Sequence, residues 1–181
     1  MICRSGGAEG TDMLFESFCE KYDVDIIAYS FNGHKTKSNH TKILTDDELE
    51  EGFEHVKMAN KNLKRYIGKL SKYVKNLLSR NWYQVNESDA IFAVGVLEDD
   101  MKRVKGGTGW CCMMGIDNKK DVFVFEQNEN LWYTFSYVFY KFIKIDYIPI
   151  LTEKFAGIGT REINENGKKA IYDLYKNKFL T

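Results

Sequence analysis

Three times along this chain a glycine-rich turn separates a β-rich run from a stretch with helical periodicity: SGGAEGTD at residues 5–12, GGTGW at 106–110 and GIGTRE at 157–162. Glycine lets the backbone bend sharply and approach a ligand closely, and the helix that follows presents free N–H groups and a positive dipole end. In a parallel sheet such turns all fall at the carboxyl ends of the strands, the edge where doubly wound folds bind ligands. The third turn is oddly placed, because only one helix of sequence remains after it.

The rest of the chain keeps the same alternation. VDIIAYSF (24–31), SDAIFAVGV (88–96) and DVFVFEQ (121–127) are apolar enough for strands buried on both faces. MLFESFCEKY places Leu14, Phe15, Phe18 and Cys19 on one helical face. Thr45 and Glu48 form a capping-box pattern that opens a helix running to about residue 65, and a second helical stretch covers 69–86. Between residues 131 and 151 the aromatic and β-branched density fits a hairpin or edge strands. A final helix should turn Ile163, Ala170, Ile171 and Leu174 toward the sheet. The expected fold is α/β: one domain over residues 1–181, with a mostly parallel sheet flanked by helices and a small β-hairpin appendage.

Charge excludes several partners. Lys plus Arg and Asp plus Glu both number 26, so no global field draws the protein to nucleic acid or anionic lipid. Lys61, Arg65, Lys69 and Lys72 make a basic stripe, which we read as a solvated helix face offset by the acidic segment 46–54 rather than as a nucleic-acid contact. No apolar run is long enough to span a membrane, and MICRSGG lacks a signal-peptide core, so a cytoplasmic location is expected. Cys3, Cys19, Cys111 and Cys112 have no metal-ligand spacing and are expected to be reduced thiols; no metal and no cofactor is called for.

Around the turns the residue types suit a sugar phosphate. Ser5, Thr108 and Thr160 offer hydroxyls, Arg4 and Arg161 guanidinium forks, and Asp12 and Glu162 carboxylates for ribose hydroxyls. With them go the backbone of Gly6, Gly7, Gly106, Gly107, Gly109, Gly157 and Gly159. Trp110 either stacks on a base or packs in the core, and Arg161 with Glu162 either meets ligand or forms a helix-end ion pair. His34 and His40 lie in a loop after a strand, His55 within a helix. Arg80, Asn81, Trp82 and Gln84, read near the start of a strand, either brace the pocket or contact a neighbouring subunit.

Taken together, RSGGA with Gly10 and Asp12, the GGTGW turn and AGIGTRE resemble the SLOG superfamily, which includes LOG-type nucleotide-processing and DprA-type DNA-processing proteins. The likeness is closer to SLOG-like proteins of bacteria and phages, and RNWYQV (80–85) and VFEQ (124–127) resemble recurring blocks in them. The resemblance implies a Rossmann-like fold, a nucleotide or nucleotide-derived ligand and, often, an oligomer. In similar phage proteins the GIGSR-type strand and helix come first, so the late turn looks like the product of a circular permutation. Its strand should then insert beside residues 1–4, in the middle of the sheet.

LOG-type hydrolases carry a GGxGTxxE turn whose glutamate serves cleavage of an N-glycosidic bond. Aligned on Gly106, Gly107 and Gly109, this chain has Trp110 at the threonine and Met113 at the glutamate. The expected carboxylate is missing, which favours binding over catalysis; a hydrolase would need another carboxylate at this edge, from among Glu9, Asp12 and Glu162, with Asp12 or Glu162 preferred. The apolar section 131–147 adds the expectation of a homo-oligomer.

Overall fold

The computed structural model describes residues 1–180. In chain order the elements are β1 (Ile2–Ser5), α1 (Thr11–Lys21), β2 (Asp25–Ser30), β3 (Thr41–Ile43), α2 (Asp46–Leu63), α3 (Lys72–Ser79) and α4 (Asn81–Asn86). There follow β4 (Ala90–Gly95), α5 (Thr108–Asp117), β5 (Asp121–Glu126), β6 (Leu131–Ser136), β7 (Lys141–Ile145), β8 (Lys154–Gly159) and α6 (Glu165–Phe179). All eight strands join one sheet in the order β3-β2-β1-β8-β4-β5-β6-β7.

From β3 to β5 every pairing is parallel, and β6 and β7 append an antiparallel hairpin at one edge. The α/β, Rossmann-like expectation therefore holds, hairpin included. β8 lies in the sheet centre, paired to β1 on one side and β4 on the other.

The near-continuous apolarity of the central strands follows from burial on both faces. On one face Cys3, Phe92, Val94 and Phe155 pack with Phe15 and Cys19 of α1 and Ala170, Ile171 and Leu174 of α6. On the other, Ile91, Ala93, Ala156 and Ile158 meet α2, α4 and α5 through Val56, Val85 and Met114. The β1-to-β2 crossover runs one way along the sheet through α1, and the β4-to-β5 crossover runs the other way through α5 on the opposite face. Direction and face reverse together, so both crossovers share one hand, as the twist of parallel strands requires.

Helix α2 starts where the sequence marks it: the Glu48 N–H donates to the Thr45 hydroxyl, and the Thr45 N–H donates to the Glu48 carboxylate. The helical stretch read over 69–86 is two helices that meet at Arg80, the first of them starting at Lys72. Trp82, Tyr83 and Val85 favour strands intrinsically, but their burial under the sheet decides the conformation. The short edge strand β3, three exposed residues, has no periodicity by which to be seen in the sequence.

Candidate functional site

Because β1, β8 and β4 are neighbours, the turns that follow them meet at the carboxyl edge of the sheet. The first and third corners are stitched together. Asp12, in the first turn of α1, accepts through Oδ2 from the N–H groups of Gly6 (3.2 Å) and Ala8 (3.3 Å), and through Oδ1 from the N–H of Gly159 (3.2 Å). Beside it the Thr11 hydroxyl donates to the Thr160 carbonyl at 2.7 Å. Gly10, with φ of 91°, lies against the Arg161 backbone, where an added Cβ would stand 2.4 Å from the carbonyl oxygen.

The second corner is held from α2. Arg65, just beyond that helix, donates to the carbonyls of Val104 (2.7 Å) and Gly106 (2.6 Å) and pairs with Glu98 at 3.2 Å. Its guanidinium also lies over the Trp110 ring, 5.7 Å from the centroid. Arg65 therefore leaves the basic stripe of the sequence reading and acts as a loop clamp. Lys72 of the same stripe meets Asp46 at 3.8 Å.

Between the corners is a cavity of about 490 Å³. Of the residues expected at a ligand, Asp12, Gly106, Gly107, Thr108, Gly159, Thr160, Arg161 and Glu162 line it. Among the described residues Arg161 and Glu162 form no salt bridge, with each other or elsewhere, so the helix-end ion pair is absent. The other expected residues stand outside, each for a physical reason.

Arg4 points to the opposite side of β1 from Cys3 and is paired with Glu87 at 3.0 Å. Ser5 is buried and accepts the Gly7 N–H, while Gly6 and Gly7 shape the first corner against Arg80 and Thr36. In Gly109 a Cβ would stand 2.1 Å from the Val104 carbonyl oxygen, and in Gly157 one would strike the Phe15 ring, so both serve packing. Trp110 is a core residue, 6 % exposed, and no base-stacking platform.

Gly107 differs from all of these. Its φ is −62°, open to any residue, and nothing lies within 4 Å of where its Cβ would be. Neither backbone strain nor a close neighbour among the described residues requires glycine there. The N–H groups of Gly107 and Thr108 have no hydrogen-bond partner among the described residues, as expected of a helix N-terminus.

Sequence reading left the block 80–84 unassigned between pocket and interface; Arg80, Asn81 and Gln84 line the cavity, and Trp82 instead stacks on His55 at 3.4 Å. Arg80 is 6 % exposed. Its Nη1 donates to the carbonyls of Gly6 and Tyr29, while its Nε is buried with no partner. No carboxylate among the described residues lies within ion-pair distance of it. Burial pulls its guanidinium below the ordinary value, opposed by the Asp12 charge. Burial likewise pushes Asp12 up to about 6, with the Arg80 charge and the N–H donors pulling the other way.

Lys105 and Arg161 add two more cations to the lining, against the carboxyls of Asp12 and Glu162. His34, hydrogen-bonded to Ser30 at 2.9 Å, is brought down to about 4 by burial and by the nearby Arg80 and Arg161 charges, so it is a neutral neighbour. His40 pairs with Glu20 away from the cavity. Among the described residues no cluster of His, Cys, Asp or Glu could hold a metal ion, and the four cysteines are free and buried. No described helix is long and apolar enough to cross a membrane.

No family model, curated protein or solved structure matches this chain.

Proposed function

We propose that the cavity binds a small phosphorylated molecule derived from a nucleotide, of the ADP-ribose or cyclic-nucleotide type, and that the protein is a binder rather than a hydrolase. The observation that carries this reading is Arg80: a buried guanidinium with no carboxylate at contact distance, lining a cavity beside a glycine whose Cβ space is empty. A buried guanidinium that makes no contact ion pair among the described residues, with Asp12 acting on it only from beyond contact distance, is costly, and an anionic ligand supplies a contact partner. The unbonded N–H groups at the start of α5 and the positive dipole end there favour the same charge. The SLOG-like pattern of the turns supports a nucleotide origin for the ligand. In a bacterium such a binder senses the molecule; encoded by a phage, it sequesters a host defence signal.

Native mass spectrometry of the protein as purified tests the proposal, with a retained mass of a few hundred daltons that is released on denaturation as the expected result. Calorimetric titration with ADP-ribose and with inorganic pyrophosphate follows. Heat from neither, together with a ligand-free native mass, would remove the reading.

A second reading, N-glycosidic hydrolysis, is favoured by the raised value of Asp12 at the cavity wall. A carboxyl near 6 suits proton transfer at neutral pH. Against it, both oxygens already accept backbone N–H groups, which makes Asp12 an organiser of the corners. Chromatography for free base after incubation with nucleotides and NAD derivatives separates the two readings, since a hydrolase would release base in an Asp12-dependent way.

The proposal includes self-association. The tip of the β6–β7 hairpin leaves Val138 87 % and Phe139 66 % exposed, apolar surface that a partner copy would cover.

A further inference from the structure

Helices α3 and α4 run nearly continuously, because Arg80, which ends one and starts the other, itself holds helical dihedrals. Val74, Leu77, Leu78, Asn81 and Gln84 therefore recur at helical spacing, and all five line the cavity. The stripe changes character along its length: apolar for its first turn, polar from residue 80 onward. Leu77 and Leu78 are only partly buried, so they hold apolar surface against the open space.

In the polar half, Asn81 is the residue whose side chain makes no hydrogen bond to the described residues. Gln84 accepts from the Cys111 thiol at 3.7 Å, and Arg80 holds two backbone carbonyls. Asn81 is 8 % exposed, lines the cavity, and its side-chain amide has no hydrogen-bond partner among the described residues. The amide atoms are not sealed off inside the protein, so they face the open space of the cavity, where an entering ligand can pair with them. The amide offers a donor and an acceptor side by side. That pattern is met by a heterocycle edge with an acceptor beside a donor, as adenine presents at its ring nitrogen and amino group.

We infer that this end of the cavity is a base subsite, in which Val74, Leu77 and Leu78 cover the face of an adenine-type ring and Asn81 reads its edge. The inference rests on the proposed nucleotide-derived ligand and assigns which residues meet its base. The phosphates then lie toward Arg80 and Gly107, so the polarity gradient of one helical stripe matches that of the ligand.

Three probes test it by calorimetry: ADP-ribose, its 1,N6-etheno analogue, in which the ring closure removes the amino donor, and inorganic pyrophosphate. The wild-type protein is expected to bind ADP-ribose at least about tenfold more tightly than the etheno analogue, the scale of one lost edge pairing. In Asn81→Leu, nearly the same shape without the amide, that preference collapses while pyrophosphate affinity stays. The same variant is expected to unfold at a nearly unchanged temperature, since no hydrogen bond among the described residues is lost with the amide. Loss of a residue kept only for stability would lower it. Asn81→Ala serves as a second variant, with pyrophosphate binding as its test of a folded site.

Unchanged ADP-ribose preference in both variants would overturn the inference. Pyrophosphate binding with no further gain from the adenosine part would also overturn it, leaving the phosphate site intact. Failure of all three probes would instead remove the ligand reading beneath it.

Discussion

The Gly159 N–H donates to Oδ1 of Asp12 across 147 positions of sequence, at 3.2 Å. The other oxygen of the same carboxylate receives Gly6 and Ala8. One side chain thus fixes the corner after β1 and the corner after β8 relative to each other, and with them two walls of the cavity. A carboxylate in the wall of a cavity proposed to take an anion is paradoxical until its three donors are counted; it is held there by the backbone.

That position makes stability depend on pH in a definite direction. Burial raises Asp12 from 3.8 to about 6. The folded state therefore holds this proton more tightly than the unfolded chain does, and the associated stability is full below about pH 4 and lost as pH rises through 6. Asp12→Asn does not titrate. Its stability relative to wild type, read from urea unfolding at pH 4 and pH 7, is expected to improve by about 2 kcal/mol between those values. A constant difference would show that Asp12 is not displaced.

Arg80 should separate fold from ligand. Arg80→Lys keeps the charge but not the fork, and Arg80→Met keeps neither. Hydrogen bonds to a charged group are worth about 1.5–3 kcal/mol, so the methionine variant is expected to lose at least about tenfold in pyrophosphate affinity. It also leaves the Gly6 and Tyr29 carbonyls without their donor, and a lower midpoint in urea should accompany the loss.

Two glycines at the same edge should behave oppositely. Gly10→Ala forces a side chain onto a backbone with φ of 91° and into the Arg161 carbonyl, so a loss of about 1–3 kcal/mol is expected. Gly107→Ala meets nothing in the protein and favours helix, so the fold should be as stable or slightly more so. Yet its methyl group enters the cavity, and pyrophosphate or ADP-ribose should bind more weakly. Equal binding by Gly107→Ala would leave that glycine without a functional reason.

The exposed hairpin tip gives the last expectation. Light scattering of the wild type at micromolar concentration should report more than one chain per particle, and the double variant Val138→Ser, Phe139→Ser should shift it toward a monomer. A monodisperse wild-type monomer would contradict the self-association reading.

Alternation of β-rich runs, glycine turns and amphipathic stretches was enough to establish the α/β class, the capping box of α2 and the burial of Ala170, Ile171 and Leu174, because these depend on local geometry and periodicity. The placement of β8 beside β1 was reached only through a resemblance in motif order, and the sheet itself bears it out. Which of the residues beside the turns face the cavity, and which residues far from them join the lining, was decided by the tertiary structure. Arg4 and Trp110 stand next to the right turns in sequence, yet strand alternation sends one to Glu87 and helix rotation sends the other into the core. Arg80 and Asn81 stand far from every turn, and reach the cavity because α3 and α4 pack across the sheet edge. Adjacency along a chain fixes where the backbone bends; only the packing of distant elements fixes which atoms the bend encloses.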